Sequence, residues 1–376
     1  MKIEQFKTTN DFELGSSGNE RTSEYKIFNG LSGNGLVVYI PGFGGDLGEY
    51  TSSFCKSITS KYKNYASMCV EYFCMRSRPS VGAIVELEDD DRRTLNIEDK
   101  KLSTEEVLSK LANDFLSDKI LNVNASLVPP NNEYQNFGVM AALDILNAVN
   151  DAVSKFKLDK NNIILIGSSY GGYLANLVTK ISPGYIKAVF DNSSWAKPNL
   201  CYMVGRDLGR CEFSFMASSN VQLMLFVKSP WSLNPESKNY IGGDRMDIRS
   251  FSDDDINAMH SYGGGNTLYY FVHPIVDRIA STKDKVEMAK AMMNKGLLVK
   301  MDLFTKKDID GDFIKNIDHG MGLSMVKFFD KGMEILAEGK DSFVSIENEV
   351  VTYKYKNGCY KFELSKRPIL ASYCYN

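Results

Sequence analysis

Histidine is scarce in this chain of 376 residues: only His260, His273 and His319 are present. Any reaction that needs an imidazole base must draw on one of these three. Cysteine offers no framework either. Cys55, Cys69, Cys74, Cys201, Cys211, Cys359 and Cys374 form an odd set of seven with no C-x-x-C pair. That argues against a zinc knuckle or a disulfide scaffold and for the reduced thiols of a cytosol. Cys69 and Cys74 lie in an apolar stretch and read as core residues. No apolar run approaches the ~18 residues of a bilayer span. The stretch MKIEQFKTTNDFELG lacks the apolar segment of a signal peptide. A cytoplasmic protein without membrane insertion is expected. Nor does one charge dominate: 44 basic against 47 acidic residues leave a net charge of -3. Nothing electrostatic favours nucleic acid or an anionic membrane as a partner. Internal repeats and low-complexity tracts are absent.

What is present is globular in character, with 43% hydrophobic and 24% charged residues, enough for one large domain or two ordinary ones. Short apolar runs alternate with helix-period stretches, the pattern of a parallel sheet with crossover helices. Strands are expected at Leu36–Ile40, Tyr65–Phe73, Ile163–Ile166, Ile186–Phe190, Thr267–Val272 and Leu297–Phe304. The spacing of Phe137, Met140, Ala141, Ile145, Ala148, Val149, Ala152, Val153 and Phe156 predicts a helix within 133–156. A further helix should run from the Gly–Ser corner to about Lys180, and a closing one over 322–336. Two stretches, about 76–128 and 195–262, are too long for plain connections and read as lid or cap insertions. The first holds an amphipathic helix near 104–116. After Gly339 the chain reads as a β-hairpin turning at Asn357-Gly358. The fold class is therefore α/β, a mostly parallel twisted sheet with helices on both faces. An α/β domain over 1–340 would carry the insertions, and 341–376 would be a hairpin extension.

One corner carries chemistry. The apolar run IILI ends in Gly167-Ser168-Ser169-Tyr170-Gly171, a G-x-S-x-G motif between a strand and a helix. Small residues around the central position let the chain turn sharply and aim Ser169 off the edge of the sheet; Ser168 is the weaker candidate. A serine nucleophile needs a base, an acid to orient it and backbone N–H groups for the oxyanion. Chain order in this architecture is serine, acid, histidine. His319, in NIDHGMG after the last strand, satisfies it. A lone loop histidine is by default surface or hydrogen-bonded filler, and His260 reads that way, while His273 would shape its own loop. Asp277, just past the strand TLYYFV, is the expected acid. Asp318 adjoins His319 too closely in sequence to orient it, Asp302 lies on the final strand, and Asp284 reads as a solvated helix residue. The oxyanion donors would be the backbone N–H of Tyr170 and that of Phe43 in the loop PGFGGD, where Gly42, Gly44 and Gly45 permit close approach.

Other readings compete less well. PGFGGD lacks the ending of a phosphate loop and is no G-x-G-x-x-G. In KKDIDGDFIKN, Asp308, Asp310 and Asp312 alternate, but Gly311 comes early and no Glu closes the run, so no metal or other cofactor is expected. Arg76 and Arg78 follow a strand at the edge where α/β sheets bind ligands. Their guanidinium forks suit a carboxylate or phosphate, with a salt bridge to the nearby acidic run as the even alternative. Trp195, Trp231, Arg206, Arg210 and Arg245 could line a lid or simply pack. Asn132, Glu133, Gln135 and Asn136 suit helix capping.

With these residues assembled, the chain resembles the α/β-hydrolase superfamily. GSSYGGYLA is similar to the elbow of prolyl-oligopeptidase-type peptidases and related esterases, although no propeller precedes it here. PPNNEYQNFGVMAALDI, GSSYGGYLA, DNSSW and IKNIDHGMG resemble, over most of the chain, a poorly characterised bacterial family of serine-hydrolase-like proteins associated with flagellin-glycosylation loci. The resemblance implies the hydrolase fold and a Ser169–Asp277–His319 triad. It also implies carbohydrate modification, with a small acylated substrate such as a nonulosonic-acid-like sugar or its nucleotide-activated form. An esterase or deacylase is the leading expectation. An acyltransferase using the same triad, a prolyl-oligopeptidase-like peptidase and a non-catalytic binding protein stay open, as does the oligomeric state.

Overall fold

The computed structural model describes residues 1–15, 20–94, 97, 103–113, 120–339 and 343–376. These divide into two compact units. One comprises 1–72, 138–198 and 243–376, and the other 73–137 and 199–242.

The larger unit is built on an eight-stranded sheet of β1 (Lys2–Thr8), β2 (Arg21–Phe28), β3 (Gly35–Ile40), β4 (Tyr65–Val70), β5 (Ile163–Ser168), β6 (Ala188–Asn192), β7 (Leu268–Pro274) and β8 (Leu298–Phe304). Their order across the sheet is β1-β2-β4-β3-β5-β6-β7-β8. The β1–β2 and β2–β4 pairs are antiparallel and every other pair is parallel. This is the α/β-hydrolase arrangement. Every residue of β3, β4 and β6 is buried, which is why these strands read as unbroken apolar runs rather than alternating ones. The helices Glu49–Lys61 and Met325–Glu338 touch each other, as do Val139–Phe156 and Tyr170–Ile181. All twelve residues of Tyr170–Ile181 are buried. No helix among the described residues is long and apolar enough to cross a membrane.

Boundaries moved where backbone conformation overrode periodicity. The helix expected within 133–156 begins only at Val139. Asn131, Asn132 and Phe137 hold positive φ, a conformation no right-handed helix accommodates, so the preceding residues form turns. Glu133 and Gln135 brace these turns rather than capping a helix, accepting backbone N–H bonds from Cys74 (2.7 Å) and Phe137 (2.8 Å) respectively. The hairpin at Asn357-Gly358 gains a third partner. Val350–Lys354, Gly358–Glu363 and Leu370–Tyr375 form an antiparallel sheet. Val351, Tyr353, Tyr360 and Phe362 of that sheet are buried. The Tyr360 hydroxyl donates to Glu13 Oε1 at 2.9 Å and that of Tyr353 to the Lys180 carbonyl at 2.6 Å. This sheet is thus part of the larger unit's core.

The smaller unit has a sheet of its own. Ile84–Leu87 pairs antiparallel with Leu121–Val128, which pairs parallel with Val221–Val227, and Phe213–Met216 closes the far edge. Val85, Leu87, Ile97, Val107, Val123, Ala125, Leu127, Val221, Leu223 and Leu225 pack as its core. The amphipathic helix near 104–116 is present as Thr104–Asn113; positions 114–116 lie outside the described residues. Residues 243–262, read from sequence as part of the second insertion, fold into the larger unit. There the helix Asp253–Ser261 starts in a Ser252–Asp255 capping box.

Candidate active site

The strand β5 ends at Ser168, and the helix begins at Tyr170. Between them Ser169 takes φ 56° and ψ -124°, a strained conformation for a residue with a side chain. It is held there by close packing. A Cβ at Gly171 would lie 1.9 Å from the Ile40 carbonyl oxygen, so only glycine lets β3 pass the start of the helix. The Ser169 N–H donates to the Asn192 carbonyl at 2.7 Å.

The Ser169 hydroxyl reaches His319 Nε2 at 2.7 Å, and His319 Nδ1 reaches Asp277 Oδ2 at 2.8 Å. With the carboxylate accepting from Nδ1–H, Nε2 presents its lone pair to the serine proton. The Asp277 side chain is buried on the loop after β7. Its other oxygen accepts the N–H groups of Ile279 and Ala280 at 2.8 and 3.0 Å. Burial works against its charge, but the His319 contact and these two N–H bonds outweigh it, so the carboxyl sits below the usual carboxylate range.

Three side chains hold the acid's loop. The Thr282 hydroxyl accepts from the Asp277 N–H and donates to the Pro274 carbonyl. His273 Nε2 lies 3.1 Å from the Ala280 carbonyl, so His273 braces this loop. Burial, with the Lys285 ammonium nearby, lowers its pKa. The Trp195 indole N–H donates to the Ile279 carbonyl at 2.9 Å, while its ring lies 5.7 Å from the His319 ring. Trp195 therefore stands at the site as a wall.

The glycine-rich loop after β3 runs past the serine. A Cβ at Gly42 would lie 3.2 Å from Ser169 Cβ and 3.6 Å from the Tyr170 nitrogen. The Phe43 ring stacks on Tyr170 with centroids 4.2 Å apart. Phe43 and Tyr170, the two residues expected to offer oxyanion N–H groups, are thus neighbours beside Ser169. Tyr170 opens its helix, where amide N–H groups point out of the positive end of the dipole.

One contributor was not foreseen. Asn192, at the end of β6, donates from Nδ2 to Ser168 Oγ (3.0 Å) and to the Gly320 carbonyl (3.1 Å), next to His319. Its signal was present in DNSSW: two polar residues closing an apolar strand. Asp191, the other, is fully buried against Lys285 Nζ at 2.5 Å, with Ser194 and Asn176 donating to the same oxygen. Burial lowers the Lys285 pKa against the pull of Asp191.

The remaining sequence candidates serve other partners. Asp302 accepts from the Tyr270 hydroxyl, and Asp284 pairs with Lys197 at 2.9 Å. The His260 ring lies beside Gly265 and Gly296. Asp308 caps Thr305, Asp310 accepts the N–H groups of residues 312–314, and Asp312 pairs with Lys327. Among the described residues no cluster suited to a metal occurs. Arg76, Arg78 and Trp231 belong to the smaller unit. There Arg78 pairs with Glu212, a partner distant in sequence and not the adjacent acidic run, and stacks over Phe213. The Trp231 indole N–H donates to the Gln135 carbonyl at 3.0 Å. Arg206 pairs with Glu88, and Arg245 donates to the Glu13 carbonyl.

Solved structures similar to the chain include the acylaminoacyl peptidase of Pyrococcus horikoshii (13% identity, TM-score 0.47). The match covers 91% of this chain and 43% of the peptidase, so the chain spans less than half of that protein's length. A putative dipeptidyl aminopeptidase IV of Bacteroides ovatus is similar at 12% identity and TM-score 0.48, over 90% of this chain and 36% of its own. An esterase of Thermogutta terrifontis matches at 11% identity and TM-score 0.42, over 90% of this chain and 93% of its own. Among curated proteins none is significantly similar in sequence. The sequence profile of one family covers residues 4–369, and the chain accordingly belongs to the family described as protein of unknown function DUF2920.

Proposed function

We propose that the protein is a serine hydrolase that works through an acyl-enzyme, cleaving a small acylated substrate as an esterase or deacylase. The observation that carries this is the continuous chain from Ser169 Oγ through His319 to Asp277, at 2.7 and 2.8 Å, on a strained strand-to-helix corner. Ser169 would attack the acyl carbon while His319 Nε2 takes its proton. The tetrahedral oxyanion would be held by the backbone N–H groups of Phe43 and Tyr170. Collapse breaks the bond to the leaving oxygen, which receives the proton from Nε2. Water then repeats the cycle, giving Nε2 its proton and releasing the carboxylic acid. Asp277 holds the imidazole in the productive tautomer and stabilises the imidazolium. A sugar hydroxyl in place of water would make the same acyl-enzyme an acyltransferase.

A fluorophosphonate probe tests the reading. Wild type should label at Ser169 alone, and Ser169→Ala should abolish labelling and lower ester turnover by about 10⁶-fold. Equal labelling of a folded Ser169→Ala variant would remove the assignment.

A further inference from the structure

An open cavity of about 650 Å³ lies against His319, lined also by Val276, Arg278, Ile279, Lys306, Ile309 and the segment Lys315 to Asp318. Three basic residues from three different loops line it: Arg278 from the loop that carries Asp277, Lys306 from the turn after β8, and Lys315 from the loop that carries His319. None of the three forms an ion pair with another described residue. The acids nearest in sequence have other partners, Asp277 being bonded to His319 and to backbone N–H groups. Asp308 and Asp310 spend their carboxylates on backbone N–H groups, and Asp312 on Lys327. Only Asp318 adds a carboxylate to the lining. Val276, Ile279 and Ile309 are exposed beside these cations, Val276 at 65%.

The position of the cavity says which part of a substrate would enter it. The leaving oxygen must lie within hydrogen-bond reach of His319 Nε2 to receive its proton. The cavity has His319 in its wall and none of Ser169, Phe43 and Tyr170, so it adjoins the site on the histidine side. We infer that Arg278, Lys306 and Lys315 bind an anionic group, carboxylate or phosphate, on the leaving portion of the substrate, with Val276, Ile279 and Ile309 against its apolar part. This rests on the hydrolase reading above. Basic side chains lining one concavity attract such a group, and salt screens the attraction because the cations are exposed.

The test compares three esters with one acyl group: phenyl acetate, 3-acetoxybenzoate and 3-acetoxyphenyl phosphate. The acetyl-enzyme and its hydrolysis are common to all, so any preference arises in acylation. At low salt, kcat/KM of the full chain should be about tenfold higher for a charged ester than for phenyl acetate. The ratio should fall towards one at high salt and in Arg278→Met/Lys306→Met/Lys315→Met. Whichever charged ester is preferred distinguishes carboxylate from phosphate. Ser169-dependent turnover with a ratio of one in wild type, or a ratio unchanged in the triple variant, overturns the inference. A readout without turnover makes the same comparison: 3-hydroxybenzoate or 3-hydroxyphenyl phosphate should protect Ser169 from the fluorophosphonate at about tenfold lower concentration than phenol. Equal protection overturns the inference while the hydrolase reading stands. Absence of Ser169 labelling in folded protein overturns both.

Discussion

Asn192 couples the two halves of the proposed chemistry through its backbone and its side chain together. Its backbone carbonyl accepts the Ser169 N–H, and its side-chain amide ties Ser168 to Gly320 beside His319. The serine conformation at φ 56° persists only because its surroundings over-determine it. Replacing Asn192 by Ala would leave Ser168 Oγ and the Gly320 carbonyl without this donor and let the histidine loop drift. A misplacement near 1 Å costs on the order of 10²-fold, so Asn192→Ala should lower kcat by about that factor with little change in KM. Steady-state kinetics on a folded variant check this, and an unchanged kcat would remove Asn192 from the positioning machinery. The sequence placed Ser169, Asp277 and His319 because each sits at a junction of local signals: strand end, turn residue, helix start. Asn192 also closes a strand, but its role was not legible there, since its partners Ser168 and Gly320 come from distant parts of the chain.

At the scale of elements, the sheet of the smaller unit depends on strands Leu121–Val128 and Val221–Val227 lying side by side with Val123 opposite Leu223. Arg78 and Glu212 bring the two chain segments of that unit together. Burial pushes the Glu212 carboxyl up to about 7, although Arg78 pulls it down. Between about pH 4.5 and 7 the folded state keeps a proton that the unfolded state has released. The protonated form's contribution is complete below the unfolded pKa and is lost as pH rises through that window. Wild type should therefore lose about 1–3 kcal/mol of stability between pH 5 and 8 relative to Glu212→Gln. Urea titrations at the two pH values measure it, and parallel pH dependence in both proteins would contradict the assignment. The sequence offered Arg78 as an anion ligand because the strand edge near it was legible. The buried acid that occupies it was not, because Glu212 lies far along the chain in an unremarkable stretch.

For the larger unit as a whole, the C-terminal sheet closes a core that begins near the N-terminus. Tyr360 donates to Glu13, which pairs with fully buried Arg249. Tyr360→Ala should cost about 3–5 kcal/mol, the usual range for a large buried aromatic. Chemical denaturation measures the loss, and a value under about 1 kcal/mol would mean that this sheet is detachable. What the sequence determined alone was local: apolar runs that must be buried strands, a turn small enough to expose a serine, and a histidine in the right place in chain order. These follow from steric and periodic rules acting over a few residues. The tertiary structure alone decided that two distant segments form one sheet, that the terminal strands join the core, and that Asn192 and Glu212 matter. Hydrophobic burial is non-directional, and a polar side chain becomes costly or useful only once its partners, often a hundred residues away, are in place.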